Sequence, residues 1–231
     1  MKISENQIDQ MYKFTREHFV EYYDLQTELV DHLANGIEIE WQQNPKISFE
    51  EALNNQFKKF GVFGFMDVVE QRQLALTKRY NKLVWKHFKA FFAFPKIIMT
   101  ISLILGLFFI LKNILFDNVL ISVVVLALLI YSFYNMIKNK KRADKKMQLG
   151  EKRWLFKEII YNYGNSFVMV ALPLQFLIHF PQISIKNNFI LFTLSTAVVA
   201  YYLTTYIMLK IIPAKAEEYL LETYPEYKFS K

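Results

Sequence analysis

Along the first sixty residues the apolar positions recur every three or four, and from Ile97 onward they merge into long runs without charge. The first pattern predicts amphipathic helices and the second predicts membrane spans. Ser4 with Gln7 has the spacing of a capping box, and Ile8, Met11, Tyr12 and Phe19 follow on one face, giving a helix over about 5–20. Leu25, Leu29, Leu33, Ile37 and Trp41 form an i+4 stripe over 24–41, which ends in the breaker cluster 42–45. Ser48 and Glu51 form a second capping box ahead of Phe49, Ala52, Leu53, Phe57 and Phe60, and Gly61 stops that helix. None of these helices is long or apolar enough to persist alone in water, so they are expected to pack on one another. A fourth helical pattern begins at Phe65 and runs toward Pro95.

The uncharged runs follow. One covers 97–111, a second covers 119–137, a third covers 159–185 with its apolar heart at 167–180, and a fourth covers 189–209. A bilayer core about 30 Å thick takes about 20 helical residues, so four transmembrane helices in two hairpins are expected. The fold class is therefore all-α, a small cytosolic helical domain plus a four-helix transmembrane bundle. The divisions are a helical domain over 1–76, a basic membrane-proximal helix over 77–96, the spans over 97–212 and a tail over 213–231. The segment 154–164 is read as interfacial, and the charge-balanced tail as a short helix with a frayed end.

Charge sets the orientation. Residues 71–96 carry seven cations and no acid, and the 138–153 segment KNKKRADKKMQLGEKR carries eight Lys/Arg against Asp144 and Glu151. The connections at 112–118 and 181–188 net only 0 and +1. Cations near span ends resist translocation, which places both basic flanks and both termini on the cytoplasmic side of the membrane. Lys82, Lys86, Lys89, Lys140, Lys141 and Arg142 are the expected contacts to anionic lipid headgroups. The surplus cations flank spans instead of forming a soluble basic face, so a nucleic-acid partner is not expected. Residues 1–70 are acidic, at −7, and the remainder is +14.

Candidate chemistry is sparse. The chain has no cysteine, which removes disulfides, thiolate catalysis and Cys-ligated metals. The opening MKISENQIDQ lacks an apolar h-region, so no cleavable signal peptide is expected. Glu28 and His32 stand i, i+4 in the acidic stripe Glu21, Asp24, Glu28 and Asp31, but no HExxH or EF-hand spacing supplies the remaining ligands of a metal. Glu28, Asp31 and His32 read better as a protein-contact surface. No Asp, Glu, Lys or Arg lies near mid-membrane, which disfavours a proton-coupled pathway. Gln175, beside Pro173 in the third span, and Ser195 with Thr196 in the fourth form the one candidate intramembrane polar site; its plain reading is a kink and an interhelical hydrogen bond. There is no GxSxG, P-loop or Gly-rich nucleotide turn, so neither catalysis nor a cofactor is expected. The spans lack GxxxG, and their large Leu, Ile and Phe faces suit either an internal bundle or a homo-oligomer.

The run LQTELVDHL at 25–33, Ile37-Glu38, SFEEAL at 48–53 and Lys59-Phe60-Gly61 resemble the HAAS and permease-prefix type of small helical domain, over residues 8–76. The matching positions are Glu28, Asp31, His32, Leu33, Glu50, Glu51, Ala52, Phe60 and Gly61. In that family the module precedes transmembrane helices, in bacterial permeases or in membrane proteins encoded with PadR-type regulators, which implies a signalling role. Four spans and no large extracytoplasmic domain depart from the permeases, so transport is not carried over. The whole-chain pattern is similar to four-span membrane proteins of the Bacteroidota type. The expected function is a non-enzymatic signalling or adaptor component with an unidentified protein partner, the alternative being a small transporter or transport-complex subunit.

Overall fold

In the computed structural model, residues 2–113, 117–148, 151–162, 167–179 and 187–229 are described, and among them the chain is helical with no strand. Helix α1 (Glu5–Glu17) starts with both halves of its capping box: the Gln7 amide donates to Ser4 Oγ at 3.4 Å, and the Ser4 amide donates to Gln7 Oε1 at 2.9 Å. The chain turns away just beyond it at Phe19, which has a left-handed φ of 65°. Helix α2 (Tyr23–Gln43) buries the expected Leu25, Leu29, Leu33, Ile37 and Trp41. Helix α3 (Phe49–Lys58) is capped by Ser48, whose Oγ accepts the Glu51 amide at 3.2 Å. Helix α4 (Met66–Ala90) rises about 37 Å at 1.5 Å per residue and delivers the chain to the spans.

Close approach of α3 to α2 requires Gly36. A Cβ there would stand 2.3 Å from Gln56 Oε1. That side chain cannot swing away freely, because its Nε2 donates to Glu40 at 2.6 Å and its Oε1 accepts from Lys59 at 2.9 Å.

Three helices are long and apolar enough to cross a membrane: α5 (Lys96–Asn113), the stretch 119–145 of α6 (Asp117–Gln148), and α9 (Asn188–Tyr206) continued through a π-helical turn (Ile207–Ile211) into α10 (Ile212–Ala214). Only 11% of the α5 window is buried, and Ile98, Met99, Ile101, Phe109 and Ile110 face outward. So continuous an apolar surface is what lipid, and not water, accommodates. The basic segment after Ile137 is helical for most of its length, because α6 continues unbroken to Gln148. Of the third uncharged run, the described residues form α7 (Leu155–Asn162) and the 13-residue α8 (Phe167–His179), about 20 Å long, and 163–166 between them lie outside the described residues. Residues 114–116 and 181–186 of the expected outer connections lie outside the described residues. Phe176 and Leu177 of α8 pack with Leu111, Ile121, Val125, Leu191 and Val198 in a small apolar core among the spans.

The main core runs from the N-terminal helices into segments far along the chain. Met11, Leu33 and Tyr80 share it with Phe156 and Ile160 of α7, Leu203 and Ile207 of the last span, and Leu220 of α11 (Ala216–Thr223). Within the segment 154–164, read as interfacial, Trp154, Leu155, Phe156, Ile159, Ile160 and Tyr161 are all buried in this core. The expected frayed end of the tail is corrected. After α11 a 3-10 turn (Pro225–Phe229) seats Tyr224 and Tyr227 against Trp154, with ring centroids 5.1 and 5.2 Å apart. Aromatic rings carry enough apolar area to dock a segment whose charges merely balance.

Gly36→Ala is expected to destabilise the protein by about 1–3 kcal/mol in thermal or denaturant unfolding, and Gly36→Ala/Gln56→Ser to recover part of that loss by clearing the obstructing amide.

Candidate functional site

Neither α2 nor α7 has a side-chain cap of its own at the point where the two N-termini meet. They cap each other. The Tyr23 amide donates to the Arg153 carbonyl at 2.7 Å, and the Leu155 amide donates to Asp24 Oδ1 at 3.1 Å. The second carboxylate oxygen, Oδ2, accepts from the Tyr224 hydroxyl at 2.7 Å, so one buried aspartate joins the N-terminal helices, the segment after the basic end of α6, and the tail. Two helix N-termini, each equivalent to about half a positive charge, make this a tolerable place for a buried carboxylate. Burial is still the larger influence: it raises the Asp24 pKa, against the Tyr224 and Leu155 hydrogen bonds that lower it. Burial and the neighbouring carboxylate also push the Tyr224 phenol far up, so it stays a donor. Arg72 covers the Tyr224 ring at 5.9 Å and reaches Glu28 at 3.8 Å. Arg153 pairs with Glu158 at 2.8 Å and with Glu21.

A second joint closes the tail onto α4. His87 Nε2 lies 2.7 Å from the Tyr219 hydroxyl. Burial first, then Lys215, Lys86 and Lys96, hold the His87 pKa below its ordinary value. The neutral imidazole is therefore the form that fits.

The residues singled out from sequence fall in three places. On α2, Glu28, Asp31 and His32 are exposed. Glu28 is turned to Arg72, Asp31 accepts from Asn35 at 3.3 Å, and His32 stands edge-on to Phe60 at 5.6 Å. Phe60 leads into a turn in which Gly61 and Gly64 take left-handed φ values of 79° and 56°, conformations that favour glycine. The turn throws Val62 and Phe63 outward, 98% and 71% exposed, while Phe65 folds back under Phe60. Sequence reading had not connected this apolar tip to the α2 face; two glycines flanking Val62-Phe63 were the available signal.

On α4, Lys82, Lys86 and Lys89 are exposed, with Lys89 above the exposed Trp85 ring at 5.9 Å. Lys140, Lys141 and Arg142 are exposed near the end of α6. Among the spans, Ser195 is buried and donates to the Leu191 carbonyl at 2.8 Å, and Thr196 donates to the Phe192 carbonyl at 2.9 Å, each within its own helix. Gln175 is exposed on α8, and the adjoining crevice around Pro173 is apolar, walled by Val125, Leu128, Phe176 and Leu194. A polar seam does run elsewhere: Ser132, Asn135 and Asn139 are buried on one face of α6, and Asn139 Nδ2 donates to the Leu209 carbonyl in the π turn at 2.9 Å. Its 3–4 spacing, which starts inside the uncharged run 119–137 and ends just past it, was legible, and the sequence reading passed over it.

No protein-family model, curated protein or solved structure matches this chain.

Asp24→Leu removes both acceptors, and each stranded donor costs roughly 1–3 kcal/mol, so unfolding of the detergent-solubilised chain should show a loss in that range or above, larger than for Asp24→Asn. Because the folded Asp24 pKa is raised, its contribution is complete below the unfolded value near 3.8 and declines as pH rises through the folded value; wild type therefore loses stability relative to Asp24→Asn as pH rises from there. For His87 the sign reverses. Its folded pKa is depressed, so stability is present above 6.5 and is lost as pH falls through the folded value. Amide exchange over 216–223, corrected for its intrinsic pH dependence, should speed up below that pH in wild type and stay level in His87→Gln.

Proposed function

We propose that this chain is a multi-pass membrane adaptor without catalytic activity, whose helical assembly presents a docking face to a protein partner in the bacterial cytoplasm. The observation that carries the reading is the Val62-Phe63 tip. It precedes the N-terminal end of α4, some 37 Å along the helix from Ala90, the end that leads into the spans. An exposed apolar pair next in the chain to Phe60, which meets His32 of the acidic α2 face, suits a partner with an apolar knob and a basic rim, as the opposite charges steer encounter and the buried pair supplies affinity. The HAAS-like character of these positions is in keeping with it.

Four crossings accompany this reading. The N-terminal helices, α7 and the tail share one core, so they occupy one compartment. A chain that starts and ends on the same side crosses an even number of times. With α5, α6 and α9 counted as three, a fourth crossing at α8 makes the number even, and the lysine-rich ends of α4 and α6 favour the cytoplasmic side for the shared core.

A photo-crosslinking residue at position 62 should give a discrete adduct in native membranes, lost with Asp31→Lys, while the same probe at exposed Glu17 should give none. A featureless ladder at both positions would remove the docking face.

A further inference from the structure

Between the basic end of α6 and α7 lies a cavity of about 210 Å³, enough for about seven water molecules at ~30 Å³ each. Four cations and three carboxylates line it. Most are already committed: Arg153 to Glu158 and Glu21, and Lys157 to Glu151. Among the described residues no ion pair engages Lys140 or Asp144, one turn apart on α6 and both on the cavity wall. The Lys152 ammonium sits over the Tyr23 ring at 3.6 Å and adds a second cation. What remains is two positive charges beside one half-buried carboxylate, with Trp154 and Tyr161 as apolar wall.

Depth narrows the ligand. Ile137 is the last residue of the uncharged stretch, so Lys140 and Asp144 stand about 4.5 and 10 Å beyond the apolar part of the helix. The headgroup layer occupies roughly 5–8 Å on each side of the hydrocarbon core. A purely anionic group would meet Asp144 unfavourably, whereas a phosphodiester followed by a primary ammonium matches both signs. We propose that the cavity receives a phosphoethanolamine-type phospholipid headgroup, its phosphate on Lys140 and Lys152 and its ammonium on Asp144. Exposed Lys141 and Arg142, outside the cavity, supply only diffuse attraction. The proposal rests on α6 crossing the bilayer and is independent of the docking face.

The test is native mass spectrometry of the intact chain in mild detergent, titrated with phosphatidylethanolamine, phosphatidylglycerol or soluble O-phosphoethanolamine. Wild type should bind one phosphatidylethanolamine about fivefold more tightly than phosphatidylglycerol, and soluble O-phosphoethanolamine at least tenfold more weakly. Lys140→Gln should weaken both lipids about fivefold and Lys140→Arg should restore them; Asp144→Asn should abolish only the preference for ethanolamine. Lys141→Gln/Arg142→Gln should leave the site unchanged, and equal melting temperatures show that the variants are folded. Equal affinity for the two lipids in wild type overturns the headgroup assignment, and so does a control variant as weak as Lys140→Gln. Soluble O-phosphoethanolamine binding as tightly as the lipid moves the ligand to a free phosphate compound and overturns the lipid source.

Discussion

Two helix N-termini that lack caps of their own, and satisfy each other instead, hold this molecule in its shape. Every α-helix leaves its first amides without partners, and burying such an end unpaired is costly. Tyr23 and Asp24 at the start of α2 therefore need Arg153 and Leu155 at the start of α7, and those need them. Because the partners are about 130 positions apart, the contact closes a loop containing α5 and α6. Tyr224, bound to the same carboxylate, closes a second loop around α8 and α9. The stretches that carry α5 and α6, and α8 and α9, are thereby tied to one buried group.

Charge attraction between the acidic N-terminal part and the basic remainder plays a smaller part. Glu21 meets Arg153, Glu28 meets Arg72, and Glu222 meets Arg79, yet most of these side chains are largely exposed. Such pairs are each worth about 0–1 kcal/mol. Burial of Trp154, Tyr224 and Tyr227, with rings packed at 5 Å separations, outweighs them, since an aromatic side chain removed from a core costs about 3–5 kcal/mol. The ion pairs orient the surfaces and the aromatic core holds them. The shared core also fixes which helix ends lie together.

The elements that sequence made legible are those whose signals are local. Ser4, Ser48 and Gly61 marked helix ends by the hydrogen-bonding and backbone properties of single residues, and Leu25 to Trp41 marked a buried face by spacing alone. Span-length apolar runs were visible for the same reason in α5, α6 and α9. What escaped were partnerships at long range and residues with two good environments. Asp24 sits in an acidic stripe that reads as solvated, and only Tyr224, 200 positions later, makes it a buried acceptor. Trp154 and Tyr161 suit a membrane interface as well as a core. Of the candidate site, Glu28, Asp31 and His32 are exposed on α2, while the placement of Phe60 beside His32 depends on how α3 and α4 are joined.

The shared core of the N-terminal helices and the tail is tested most directly by proximity across it. The chain contains no cysteine, so Arg79→Cys/Glu222→Cys introduces the only two thiols, at positions whose native side chains approach within 3.8 Å. A short-armed bismaleimide added to native membranes should convert this variant to an intramolecularly bridged monomer, insensitive to dilution. Absence of the bridge, or appearance only of concentration-dependent dimers, would contradict the account.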